Sequence, residues 1–302
     1  MIRVDCWNLK DYYIYISSNE GEIKKFVDGF TINFTFFFRD YDVFETLQDI
    51  FLDGLNVNKG EIQSHIKPSK VKLDKFRSKK NYVRNQMKLE QMSSKPEASY
   101  IDIFIFLERL SFYRKLKHYR SETNTIKIWS CPCATGEEPY SLAMILDNLE
   151  NQIPDFPNYE IIASDIANEA IQKAKVGVYS DDSMKEISDY YENKYFTQKK
   201  AHFGHFNSID EDIKNRVEFI QEDVTKGHKK KNAKYDIVFC RYLLIYFNRE
   251  NRDKFLRIIE SHMAENGILV LGKTETLFKS FGSLKQIDSR NHIYIKSHSK
   301  II

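Results

Sequence analysis

The stretch "YDIVFCRYLLIYFNRE", residues 235–250, opens as a six-residue apolar run, stops on Arg241 and then carries tyrosines at 242 and 246. Arginine is among the residues least often buried without a partner. A core strand that stops on one must stop where acceptors are available. In open α/β sheets, ligands sit just beyond the carboxyl ends of the strands. The neighbouring runs have the same character: "IKIWS" (126–130), "YEIIASD" (159–165), "RVEFIQED" (216–223) and "ILVLG" (268–272). Helical patterns alternate with them. "EEPYSLAMILDNLE" (137–150) puts Pro139 in a first turn and Leu142, Ile145, Leu146 and Leu149 on one face. "NEAIQKAKVG" (168–177) predicts a helix capped by Asn168 and stopped by Gly177, and "NRENRDKFLRIIESHM" (248–263) one capped by Asn248 and stopped near Gly267. "LKQIDSRNHIYIKS" (284–297) predicts a closing hairpin that turns at 288–291. Strands alternating with helices predict an α/β fold: a largely parallel, doubly wound sheet covered on both faces.

The composition agrees. Of 302 residues, 42% are hydrophobic and 29% charged, a soluble globular balance rather than a disordered one. No apolar run reaches the roughly 20 residues that span a bilayer. The start, "MIRVDCWNLKDYYIYISSNE", lacks a basic segment followed by an apolar one, so no secretory signal and a cytoplasmic location are expected. Cys6, Cys131, Cys133 and Cys240 complete neither a disulfide framework nor a zinc pattern and read as reduced thiols. The net charge of +3 says little, but residues 67–90 hold nine Lys or Arg against two acids. The chain divides into a mostly helical region, 1–125, and an α/β domain, 126–302. Within the first, "FTINFTFFFRDYDVFETLQDIFLDGL" (30–55) reads as a loop feeding a helix through Phe44, Leu47, Ile50 and Phe51, and 56–122 reads as an insertion. Within the second, "YFTQKKAHFGHF" predicts short strands of a small β-subdomain at about 194–218.

The strand ends carry the chemistry. "WSCPCATGEEPYS" is a strand, a tight turn holding Thr135 and Gly136, and a helix start with free N–H groups. One glycine is not the dinucleotide fingerprint. Glu137 and Glu138 stand where a pyrophosphate would bind; they repel a phosphate and attract a cation, although acids in a first turn also simply complement the helix dipole. Asp165 closes the second strand, a position that commonly bonds ribose hydroxyls. Together these suggest an adenosine ligand with a cationic group and no phosphate, which describes S-adenosylmethionine.

With those residues in view, "IWSCPCATGEEPYSLAM", "ASDIANEAIQKAKVGVY", "VEFIQED", "YDIVFCRYLLIYFN" and "GILVLGKTETL" resemble the CheR-type chemotaxis-receptor methyltransferases, and "TINFTFFFRD" resembles that family's Asn-x-Thr and Phe-Phe-Arg segment. The resemblance implies a class I methyltransferase sheet with an antiparallel last strand. It implies S-adenosylmethionine-dependent transfer of methyl to glutamate side chains of chemoreceptors. Asn33, Thr35 and Arg39 would contact the cofactor, Glu138 its ammonium and Asp165 its ribose. Asp223 and Val224 would flank the adenine, and Arg241 and Tyr242 would lie along the cofactor. Arg39 and Tyr246 would stand beside the transferred methyl. No metal is implied. The partner would be the cytoplasmic region of the receptors, with no nucleic acid and no membrane insertion, and the enzyme a monomer. The chain departs from the family at Pro132-Cys133, where a small residue and Gly-Cys are usual, at Tyr242, where asparagine is usual, and at Asp223. Only about 29 residues precede the Asn-x-Thr segment, where family members carry a helical domain; the basic stretch in the insertion reads either as a simple solvated insertion or as a replacement docking surface that steers Glu-rich receptor helices. The alternatives are a methyltransferase of this fold with another substrate and a cofactor-binding module without turnover.

Overall fold

Hydrophobic residues alternate along the strands of the second half of the chain, and that alternation builds two cores on the two faces of one sheet. The structure is a computed structural model, and it describes residues 9–19, 21–23, 35–62, 65–67, 112–119, 125–201, 204–277 and 281–297. Asn33, His202 and the basic segment from residue 68 onward lie outside the described residues.

The strands are β1 (Ile126–Ser130), β2 (Tyr159–Asp165), β3 (Val178–Ser180), β4 (Phe196–Ala201), β5 (Gly204–Ile209), β6 (Val217–Gln221), β7 (Tyr235–Cys240), β8 (Met263–Leu271), β9 (Leu284–Asp288) and β10 (Ile293–Lys296). Seven form the main sheet in the order β6-β2-β1-β7-β8-β10-β9. All neighbouring pairs from β6 to β8 are parallel, and β10 runs antiparallel to β8 and β9. Strand order therefore reverses between β1 and β7, which opens a crevice beyond Ser130 and Cys240. Ile128, Phe239, Ile268 and Val270 face one core, and Trp129, Val238, Leu269 and Leu271 face the other.

Helices among the described residues include α1 (Leu9–Ser17), α2 (Tyr41–Leu55), α3 (Glu137–Glu150), α4 (Asn168–Val176), α5 (Asp189–Tyr195), α6 (Glu211–Lys214) and α7 (Arg249–His262). Phe44, Leu47, Ile50 and Phe51 of α2 are buried in the first core, as their spacing predicts. In the same core lie Leu142, Ile145, Leu146 and Leu149 of α3. The second core is closed by Phe255, Leu256 and Ile259 of α7.

Three local expectations are corrected. Ala167, not Asn168, caps α4; the Asp165 carboxylate accepts the Ala167 N–H at 2.9 Å and stands in for a side-chain cap. Helix α7 ends at His262 rather than near Gly267, and β8 starts at once. Gly267 instead marks a bulge in β8: Tyr235 pairs Met263 while Ile237 pairs Ile268. A Cβ there would come within 2.8 Å of the Ala264 carbonyl and 3.0 Å of the Tyr235 carbonyl, which no side chain permits. Finally, the small sheet has three antiparallel strands in the order β3-β5-β4, so it begins at Val178, well before the expected range. Gly177, in the left-handed region, stops α4 and turns the chain into it.

Candidate active site

The turn between β1 and α3 is shaped by Gly136, which has φ 95°; a Cβ there would meet Ala174 Cβ at 2.8 Å. The turn is pinned to β2, because the Ala134 N–H donates to Asp165 Oδ2 at 2.8 Å and the Cys133 N–H to the Ser164 carbonyl at 2.9 Å. Both Asp165 oxygens thus hold local amides at the end of β2. Beside it, the Glu222 N–H donates to the Asp165 carbonyl at 2.9 Å, so the ends of β2 and β6 are tied together.

Arg241 lies at the reversal point and is only 4% exposed. Its Nη1 donates to Glu138 Oε2 at 3.1 Å, and its Nη2 donates to the Arg39 carbonyl at 2.9 Å and to Asp40 Oδ2. Burial pulls the guanidinium pKa down, but the Glu138 and Asp40 carboxylates raise it further, so it stays charged. Its Nε is buried with no acceptor among the described residues. Glu138 also accepts from Ser130 Oγ at 2.8 Å. Burial raises its pKa, opposed by Arg241 and Ser130. Glu137 turns away from this pair: it accepts from Thr135 Oγ1 at 2.6 Å and Ser183 Oγ at 3.1 Å and serves the turn itself.

Arg39 is half-buried and its guanidinium lies 3.7 Å from the centre of the Tyr242 ring. A contact of this kind contributes about 0.5–2 kcal/mol. The Tyr242 hydroxyl donates to Asp40 Oδ2, the oxygen that also takes Arg241. Tyr242 itself has φ 62°, which costs a bulky residue roughly 1–2 kcal/mol. Glu275, 2% exposed, offsets that cost: its carboxylate accepts the N–H groups of Tyr242 and Leu244 at 2.7 Å and of Gly272 at 2.8 Å. Tyr246 follows in a 3-10 turn, Leu244–Tyr246, and is 57% exposed at the rim.

Among the expected site residues, Arg39, Glu138, Arg241 and Tyr242 thus form one bonded cluster, and Asp165 joins it through the β1–α3 turn. Tyr246 stands four residues beyond Tyr242 on the same loop. Thr35 is half-buried at the start of the described lead-in segment, outside the bonded cluster. Asp223 caps the 3-10 turn Val224–Lys226 through the Thr225 N–H at 3.1 Å and also takes Lys226 at 3.1 Å. Burial raises its pKa, but these partners outweigh burial and lower it. Val224 is buried. Three residues that hold the site were not singled out from the sequence as members of it: Ser130, Asp40 and Glu275. Asp40 bonds Arg241 and Tyr242. Glu275 lies in "GKTETL", part of a quoted motif, with no local pattern to mark it.

Close by, in the second core, His228 stacks on Trp129 at 4.6 Å, and its Nδ1 lies 2.6 Å from Glu222 Oε1 while its Nε2 meets the Tyr235 hydroxyl. Glu222 also accepts from Ser164 Oγ at 2.5 Å and the Lys229 N–H at 2.7 Å. This network braces the ends of β1, β2, β6 and β7 from below. Cys131, Cys133 and Cys240 are free and buried, and burial pushes the Cys131 and Cys133 thiols well up, which makes them inert.

Residues 104–293 match the family model described as CheR methyltransferase, SAM binding domain. Chemotaxis protein methyltransferase 2 of Vibrio cholerae is 30% identical over 80% of this chain and 84% of its own length. The chemotaxis protein methyltransferase of Borreliella burgdorferi is 28% identical over 55% of this chain and 63% of its own. That of Escherichia coli is 26% identical over 55% and 59%. The chain therefore covers most of the Vibrio protein and about three fifths of the other two. A sheet of order β6-β2-β1-β7-β8-β10-β9, an acidic crevice at its reversal point and a matching family model agree: the chain belongs to the CheR methyltransferase family.

Proposed function

We propose that this chain methylates glutamate side chains in the cytoplasmic region of chemoreceptors, with Arg39 and Tyr246 at the reacting atoms. As a member of its family the chain is an S-adenosylmethionine-dependent methyltransferase of chemotaxis. The observation that carries the reading is the pairing of Glu138 with Arg241 at the crevice, one residue link away from Arg39 on Tyr242.

The donor set fits the cofactor. Residues 131–141 contain two glutamates and no lysine or arginine, the wrong polarity for a pyrophosphate and the right one for an ammonium and a sulfonium. The zwitterionic methionine end needs both charges, which Glu138 and Arg241 offer side by side. A carboxylate would also supply the acceptor that the buried Arg241 Nε lacks. Asp165, at the end of β2, would hold the ribose, and Val224 offers an apolar wall beside Asp223 for the base. When bound, S-adenosylmethionine supplies an electrophilic methyl on a good leaving group.

The chain's own task is then positioning. A glutamate side chain, with a pKa of about 4.3, is already ionised at neutral pH, so no general base is needed. Arg39 is a half-buried cation that can hold the incoming carboxylate, and its stack on Tyr242 limits where the guanidinium lies. Tyr246 presents a hydroxyl at the rim, where a protein substrate can reach it. Alignment of this kind can contribute on the order of 7–11 kcal/mol to lowering a barrier. The enzyme would work as a monomer on the cytoplasmic side of the membrane, and no helix among the described residues is long and apolar enough to cross one.

Incubation with labelled methyl donor and receptor cytoplasmic fragments tests this. Label is expected on the receptor as a methyl ester that mild base releases as methanol. Base-stable label, or label only on other acceptors, would contradict the glutamate assignment.

A further inference from the structure

Three residues around Arg39 hold left-handed backbone without being glycine: Phe38 at φ 55°, Asp40 at φ 59° and Tyr242 at φ 62°. A bulky side chain at positive φ is uncommon and persists only where its surroundings over-determine it; such strain clusters at functional positions. Phe38 and Asp40 flank Arg39 in sequence, and Tyr242 lies under its guanidinium. Asparagine adopts that backbone more easily than tyrosine does. What the tyrosine adds is a ring and a hydroxyl.

Both are engaged. The Tyr242 ring packs against the bare backbone of Gly272, where a Cβ would come within 2.9 Å of it, and carries the Arg39 guanidinium at 3.7 Å. Its hydroxyl donates to Asp40, the residue after Arg39, whose carboxylate also takes Arg241. Its N–H is held by Glu275 at 2.7 Å. The lead-in segment is therefore fastened to the end of β7 through the Arg39 guanidinium and carbonyl and through Asp40.

We infer that Tyr242 is a positioning residue that fixes the Arg39 guanidinium, by ring stacking and through Asp40, rather than a contact to the methyl donor. Its effect on turnover rests on the proposed role of Arg39; its effect on Arg39 itself does not. The full chain, labelled with nitrogen-15 arginine, provides a direct readout, because a guanidinium over an aromatic face gives an upfield-shifted Nε–H signal. Arg39→Lys assigns that signal. It should persist in wild type and Tyr242→Phe, which keeps the ring, and collapse toward the unstacked position in Tyr242→Asn. Tyr242→Asn should lower kcat about tenfold or more and Tyr242→Phe only a few-fold, with affinity for S-adenosylhomocysteine held within about twofold in both. In an Arg39→Ala background, Tyr242→Asn should lower kcat no further. If Tyr242→Asn does not fold, Gly272→Ala, which displaces the ring from its seat, should weaken the upfield shift instead. An unshifted Arg39 signal in wild type, an unchanged one in Tyr242→Asn, or a loss of S-adenosylhomocysteine affinity that matches the loss of kcat would overturn the inference. Should wild type transfer no methyl to receptor fragments, the substrate assignment fails, while the nitrogen-15 signal and the affinities still decide the role of Tyr242.

Discussion

Arg241 is a charge that could not be buried alone, and it is buried beside two carboxylates and a carbonyl. Removing one partner of such a group usually costs several kcal/mol, because the remaining charge loses its compensation. The pair with Glu138 therefore serves the fold as well as the ligand. Glu138→Gln keeps an oxygen for Ser130 but loses the charge that an ammonium requires. Calorimetric titration with S-adenosylhomocysteine should show affinity lower by about tenfold to a hundredfold, the range of a lost charged hydrogen bond. An unchanged affinity would remove Glu138 from the site. Arg241 and Asp165 were legible in sequence as charged residues at the ends of apolar strands, and Glu138 as an acid in the first turn of the helix after β1, positions where burial without a ligand or partner is costly. Asp40 and Glu275 were not legible. Their bonds reach residues about 200 and 30 positions away, and only the fold brings those together.

At the scale of elements, the lead-in segment is held by the stretch between β3 and α5. The Phe37 N–H donates to the Ser183 carbonyl at 2.9 Å, the Phe37 ring packs edge-on against Tyr179 at 4.8 Å, and the Asp40 N–H donates to Glu186 Oε2 at 3.2 Å. Burial, and then the nearby Asp40 carboxylate, push the Glu186 pKa up to about 7. A carboxyl whose pKa is higher in the folded state binds its proton more tightly there than in the unfolded chain. Its contribution is intact below its ordinary pKa and is lost as pH rises toward and through 7. The folded state should thus lose up to about 3 kcal/mol from this group between pH 5 and pH 8. Urea unfolding checks it: Glu186→Gln should match wild type near pH 5 and exceed it at pH 8. Parallel midpoints at both values would refute the assignment. The main elements were legible from periodicity; α3, β1, β2 and β7 fall where their apolar spacing puts them. The misreadings have one cause. Gly267 and Asn168 carry the residue types of a helix stop and a helix cap, but a bulge in β8 and the carboxylate of Asp165 decided those positions. Strand β3 is three residues long and had no alternation to reveal it.

At the scale of the molecule, a sheet whose order reverses between β1 and β7 makes one crevice. The ends of five elements meet there: the lead-in segment, β1 with its turn, β2, β6 and the loop after β7. The loop that carries Tyr242 is held there by Glu275, which accepts the N–H groups of Tyr242, Leu244 and Gly272. On the proposed reading, this crevice gathers an adenosyl sulfonium between two acids, with a guanidinium facing the transferred group. A crystal structure of the chain with S-adenosylhomocysteine tests it most directly. The amino group is expected on Glu138, the ribose hydroxyls on Asp165 and the sulfur turned toward Arg39 and Tyr246. A ligand bound elsewhere, or in the crevice with its sulfur turned away from Arg39, would contradict it.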